Sequence, residues 1–277
     1  MSILHAVVLG LVQGLTEFLP VSSSGHLELV PWLFGWDDFG SDVRLENAFD
    51  VALHLGTLMG AVYYLRSDVA RYLRAGWGWL RSGAGTAPTG DARTSCLLAV
   101  TAVPTGLLGL LVVAMTDDLG GRTWLVATCL IVFGVLLWVA DRRDDHDGRE
   151  MADLSFPNAV MLGLAQGLAL QPGVSRSGVT LSVARTLRVE RTEAARLVFL
   201  MSLPVIAGAG LLSAADVALP PGWWSPFIAG MVAAAVSGWL AVHLLLRMLA
   251  WTGLGGFAVY RVVLGLGVLT LLATGVR

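Results

Sequence analysis

The stretch "AVVLGLVQGLTEFLPVSSSG", residues 6–25, returns as "AVMLGLAQGLALQPGVSRSG", residues 159–178, at a constant offset of 153 with twelve of twenty positions identical. Two apolar segments can match by chance at Leu, Ala and Val. The pairs Gln13/Gln166, Gly14/Gly167, Ser22/Ser175, Ser24/Ser177 and Gly25/Gly178 in a single register do not arise that way. The chain therefore contains a duplicated unit. Each copy is a hydrophobic segment broken midway by Pro and Gly among polar residues, so neither forms a simple span. Segments 3–34 and 157–186 are expected to be re-entrant, because backbone that leaves a helix at membrane depth must be buried in protein or line a wet cavity.

The rest of the chain supplies the membrane. Of its 277 residues, 56% are hydrophobic and only 14% charged, with mean hydropathy +0.73, far from the balance of soluble domains. Six further stretches reach the ~20 apolar residues a bilayer crossing needs: about 46–65, 95–115, 122–140, 195–214, 225–246 and 256–275. The expected fold is an all-α polytopic membrane protein. It has six transmembrane helices plus two re-entrant helix–loop–helix segments in an inverted-topology repeat, within one membrane domain (repeat one about 1–140, repeat two about 157–277). All 18 basic residues are arginines, most of them gathered between apolar runs, and the net charge is -2, which argues against a nucleic-acid partner. Cys96 and Cys129 fall in apolar segments and act as small hydrophobes. The first arginine is Arg44, so the basic region of a cleavable signal is missing and the N-terminus is expected to belong to the mature fold.

Arginine counts orient the chain. Residues 66–93 hold five, 141–156 three and 185–196 four, and these loops are expected to be cytoplasmic. The connections at 36–46, at 116–121 and around "PPGWWS" are arginine-poor and are expected outside. The first broken segment then enters from the outer face and the second from the cytoplasmic face, so the two "VS-x-SG" loops meet near the midplane.

Chemistry is expected where the copies differ. Glu17, Ser23 and His26 of the first copy are replaced by Leu170, Arg176 and Val179 in the second. An arginine at membrane depth needs an anionic partner. Glu17 supplies one in a purely structural pairing; alternatively Arg176, set among serine hydroxyls and the amides that open a helix, binds a phosphate. His26, three residues after Ser23, suits a base beside a nucleophile, while a packing histidine and capping serines are the plainer reading. Gln13 and Glu17 share a helix face and offer two oxygens to a hard cation, a thin set that phosphate oxygens and water would complete. Asp50 and His54, also four apart, either line a cavity or make an interhelical hydrogen bond. Arg261 is expected to snorkel to the interface as an anchor. Pro104 and Pro204 are expected to kink their helices around the site.

These motifs resemble those of the undecaprenyl-pyrophosphate phosphatase family, also called the bacitracin-resistance proteins. "QGLTEFLPVSSSGH" (13–26) is similar to its Glu/Gln-xxx-Glu and serine-rich signature, and "PGVSRSGVT" (172–180) to its Pro-Gly-x-Ser-Arg-Ser-x-x-Thr signature; "FDVALHLGT" at 49–57 and "YR" at 260–261 also fit. The resemblance covers the whole chain. It implies hydrolysis of a C55 polyprenyl diphosphate to the monophosphate, recycling the lipid carrier of cell-wall synthesis and giving bacitracin resistance. It also implies that Ser23, His26 and Arg176 are essential and that Gln13 and Glu17 go with a divalent cation, Mg2+ or Ca2+. Glu17 is expected to join the catalytic set, and Ser22, Ser24, Gly173, Ser175, Ser177 and Thr180 are expected to contact the substrate. The implied setting is the bacterial inner membrane with the site facing outward, and a homodimer is left open. The rival reading is a secondary transporter or lipid-phosphate flippase on the same inverted-repeat fold. The other class of membrane lipid phosphatase is set aside: its first motif needs a lysine, which this chain lacks, and Ser182 stands where its histidine belongs.

Overall fold

The computed structural model describes residues 1–40, 42–115, 122–142, 148–214 and 219–275. The connection at 116–121 and Arg143, both part of the arginine count, lie outside the described residues. The protein is all-helical. In chain order the helices are α1 (Ile3–Phe18), α2 (Ser23–Phe34), α3 (Val43–Tyr64), α4 (Arg66–Arg81), α5 (Gly90–Met115), α6 (Thr123–Ala140), α7 (Phe156–Leu168), α8 (Arg176–Thr186), α9 (Arg191–Ala214), α10 (Trp224–Leu249) and α11 (Gly255–Ala273). Five of them, α5, α6, α9, α10 and α11, are long and apolar enough to cross a membrane, and the number is six when α3 and α4 count as one bent span. One expectation is corrected here. Residues 66–81 form no loop; they are a helix turned by 83° from α3.

The duplicated segments are the short, broken pairs α1–α2 and α7–α8. At 12 and 11 residues, α2 and α8 are too short to cross a bilayer. The breaks fall at equivalent serines. Ser22 (φ 78°) and Ser175 (φ 70°) both occupy left-handed backbone, a conformation costing a non-glycine residue about 1–2 kcal/mol. Each offsets that cost by capping: Ser22 Oγ accepts from the Gly25 amide and Ser175 Oγ from the Gly178 amide.

α1 lies on α10 and α7 on α5, while α3 contacts α9 and α6 contacts α11. Glycines permit the closest crossings: a Cβ at Gly10 or Gly14 of α1, or at Gly56 or Gly60 of α3, would overlap backbone or side-chain atoms of α10. The blocking atom at Gly60 is the Ala235 carbonyl oxygen, which cannot swing aside. Gly60→Leu is therefore expected to destabilise the fold by about 3 kcal/mol, the upper end for overpacking, read as a lowered Tm in detergent.

The arginine-bearing loops gather at one end. Arg93 donates to the carbonyls of Ala152 and Leu154, the Arg149 amide donates to the Arg188 carbonyl, and Arg196 pairs with Asp68 at 3.8 Å. Beneath them, buried Asp141 joins four helices: its Oδ1 accepts from Arg191 Nε (2.8 Å) and Arg185 Nε (3.2 Å), and its Oδ2 from the Leu254 amide (2.7 Å). Outward-facing Leu107, Val139, Leu211, Val236 and Val263 are exposed, as a surface solvated by lipid requires.

Candidate active site

Where the two breaks meet, Glu17 stands at the centre. It lies in the last turn of α1, is buried, and satisfies both carboxylate oxygens with side chains. Oε1 pairs with Arg176 from the start of α8. Oε2 accepts from Ser23 Oγ at 2.6 Å and from Gln13 Nε2 at 2.9 Å, and His54 Nε2 lies 3.5 Å away. The acid, the hydroxyl and the guanidinium nominated by the differences between the copies are thus in direct contact. Short charge-assisted contacts of this kind are the strong ones.

His26 takes a different place from the one its spacing suggested. Its Nδ1 lies 2.7 Å from the Ser22 carbonyl, which can only accept, so this nitrogen carries the proton. Its Nε2 faces the Tyr260 hydroxyl at 2.7 Å. Both nitrogens are used, and neither addresses Ser23. The physical reason is local: α2 begins at Ser23, and one turn along the ring folds back onto the carbonyl that opens the helix. The hydroxyl of Ser23 meets the α1 carboxylate instead.

Arg261 corrects a second expectation. It is fully buried and does not snorkel to the interface. Nη1 donates to Pro20 O (3.3 Å), and Nη2 to Gly173 O (2.9 Å) and Val174 O (2.8 Å), so one guanidinium ties the first loop to the second. Gly178 makes room for it, since a Cβ there would overlap Nη1. The loops also touch directly: the Gly173 amide donates to Ser22 Oγ (3.2 Å) and Ser177 Oγ to Leu19 O (2.9 Å). Gly173, at φ 89°, sits against the Val126 carbonyl where a side chain has no room. Thr180 spends its hydroxyl on Arg176 O at 2.6 Å and is fully buried. Ser22, Gly173, Ser177 and Thr180 therefore build the loops, whereas Ser24 and Ser175 reach the cavity.

That cavity, of about 510 Å³, has two characters. Its polar lining comes from Glu17, Ser23, Ser24, Asn47, Asp50, His54 and Arg176, and its apolar lining includes Val51, Leu170, Val205, Ile206, Ala209 and Gly210. Asp50 and His54 do line the cavity, and His54 Nδ1 is fixed on the Asp50 carbonyl (2.7 Å), leaving Nε2 toward Glu17. Sequence reasoning missed Asn47, Thr105 and Gln166 in the lining; Gln166 was visible only as the repeat partner of Gln13.

Among the described residues no group of three or more His, Cys, Asp or Glu side chains is arranged to hold a metal. Gln13 Oε1 is nevertheless buried without a hydrogen-bond partner, and two carboxylates, Glu17 and Asp50, share the cavity wall. This oxygen-only set suits a hard divalent cation that shares phosphate oxygens and water, and is too small for a cage built from protein alone.

Residues 6–267 match the family described as Bacitracin resistance protein BacA. The chain belongs to this family. Its similarity to other members runs end to end. It is 42% identical over 274 residues to the undecaprenyl-diphosphatase of Gemmatimonas aurantiaca, covering 99% of both chains. To that of Geobacter sulfurreducens it is 43% identical over 276 residues, 98% of this chain and 99% of the other. To that of Nocardioides sp. it is 41% identical over 279 residues, 99% and 97% respectively.

Proposed function

We propose that the protein is an integral membrane undecaprenyl-diphosphatase, hydrolysing the lipid diphosphate to undecaprenyl phosphate and phosphate and so returning the carrier to cell-wall synthesis. The observation that carries this reading is the Ser23–Glu17–Arg176 contact in a cavity that is lined by apolar as well as polar side chains. Family membership and the names of full-length relatives support it.

In the mechanism, the terminal phosphate enters against Arg176 and displaces it from Glu17 Oε1. Ser23 Oγ, already hydrogen-bonded to Glu17 Oε2, gives its proton to that carboxylate and attacks the terminal phosphorus. The anhydride bond breaks, undecaprenyl phosphate leaves as a stable anion, and phosphoserine remains. Glu17 passes the Ser23 proton to the departing undecaprenyl phosphate; in the second half it takes a proton from the water that attacks phosphoserine and returns it to Ser23 Oγ as inorganic phosphate leaves. Catalysis of this kind rests on positioning and charge stabilisation. A divalent cation, Mg2+ or Ca2+, held by Glu17, Gln13 and Asp50 together with the diphosphate oxygens, would supply charge neutralisation. His26 acts by position, bracing the start of α2 against Tyr260.

Trapping tests the order of events. Protein denatured during turnover of terminally labelled substrate is expected to carry acid-stable phosphate, absent in Ser23→Ala; acid-labile phosphate would move the nucleophile to histidine, and no phosphate to water. Chelation by EDTA is expected to stop phosphate release, with Mg2+ or Ca2+ restoring it; full activity in EDTA would remove the cation from the scheme.

The topology completes the reading. The two broken pairs are re-entrant and inserted from opposite faces, supported by the reciprocal packing of α1 on α10 and α7 on α5. The gathered arginine loops face the cytoplasm of a bacterial inner membrane, and the cavity serves substrate arriving on the outer side.

A further inference from the structure

We infer that α4 is an in-plane binding face for anionic phospholipid at the arginine-rich end of the molecule. α4 follows α3 with only Leu65 between them and turns by 83°, so when α3 crosses the bilayer α4 lies along its surface. One side of α4 is buried against α5 through Asp68, Tyr72 and Gly76. Leu73, Trp77 and Leu80, spaced i, i+4 and i+7, are 66%, 61% and 55% exposed on another side. An apolar stripe of this size on a helix lying flat belongs in the acyl–headgroup boundary.

The neighbouring stripe carries Arg74 and Arg81. Arg74 makes no ion pair among the described residues, and the Arg81 guanidinium lies 5.8 Å from the Trp77 ring centroid. The pattern repeats on the same end of the protein at Arg142, which lies over Trp138 at 3.6 Å; Arg66, over Tyr63 at 4.9 Å, spends Nη1 on the Tyr63 carbonyl and is left out of the set. A guanidinium resting on a ring at the interface keeps its N–H fork free for a phosphate, and its charge favours an anionic headgroup over a zwitterionic one. Arg71 is excluded from this role, being engaged with Tyr72 and Asp68.

The test uses full-length protein in phosphatidylcholine vesicles doped with either brominated phosphatidylglycerol or brominated phosphatidylcholine. The Trp77 signal is the fluorescence difference between wild type and Trp77→Phe. Brominated phosphatidylglycerol is expected to quench it at least about twofold more strongly, and Arg74→Gln/Arg81→Gln to abolish that preference with phosphatase activity unchanged. Arg74→Lys/Arg81→Lys should keep it. Equal quenching by the two lipids, or a preference that survives the Gln pair, would overturn the inference. So would loss of the preference on adding inorganic phosphate at constant ionic strength, which would identify a free-phosphate site instead. Should the Gln pair fail to reconstitute, wild-type protein at high salt gives the same decision, because a headgroup preference must then collapse and a persistent one refutes it.

Discussion

Arg176→Ala is expected to lower phosphate release from polyprenyl diphosphate by about 10³–10⁵-fold, the range spanned by an arginine that stabilises a transferring phosphoryl group. Arg176→Lys should recover only a small part, because an ammonium cannot present the guanidinium's paired donors. Stability adds a second signature. The Glu17 side chain is only 2% exposed, and removing its cation leaves a buried carboxylate uncompensated, a loss of about 3–5 kcal/mol. The double variant Arg176→Ala/Glu17→Gln should therefore melt above the single variant while remaining inactive. Phosphate-release assays and melting in detergent check both halves. Activity above a tenth of wild type in Arg176→Ala would remove Arg176 from the reaction.

Arg261→Gln should be nearly as damaging although Arg261 does not line the cavity. It leaves the Pro20, Gly173 and Val174 carbonyls short of donors in a buried junction, at about 1–3 kcal/mol for each that finds no substitute. The two loops then lose their common anchor, and a shift of about 1 Å between Ser23 and Arg176 costs on the order of 10²-fold in rate. kcat should fall more than KM rises. Gly178→Ala is expected to reproduce the defect from the other side, because its methyl group would occupy the space of Nη1. The double variant should be no worse than the poorer single one, since both changes break the same contact. Wild-type kcat in Arg261→Gln at the assay temperature would refute the coupling.

Much of this was legible because membranes simplify the code. Long apolar runs had to be helices, and the repeat at an offset of 153 residues located both breaks. The comparison of copies also placed Ser23, Glu17 and Arg176 correctly as neighbours. What it could not show was direction. Ser23 and His26 are three residues apart, but whether an imidazole faces a hydroxyl or its own helix's first carbonyl depends on where α2 begins, a matter of one residue. Arg261 was misjudged for a related reason. A lone arginine near the end of a span usually reaches for water, and nothing adjacent in sequence reveals three carbonyls contributed from residues 20, 173 and 174. The in-plane course of α4 was hidden because its arginines made the segment look like a loop.

The Arg261 junction also bears on how such a protein can be assembled. Pro20 and Gly173 occupy the same position in the two copies, and a single guanidinium holds both of their carbonyls. A dimer of identical half-length chains would bring two such arginines to one junction with room for one, and would make both loops acidic or both basic. Fusion into one polypeptide removes that obligation of symmetry, allowing one loop to keep a hydroxyl, the other a cation, and the seam between them a residue that has no counterpart.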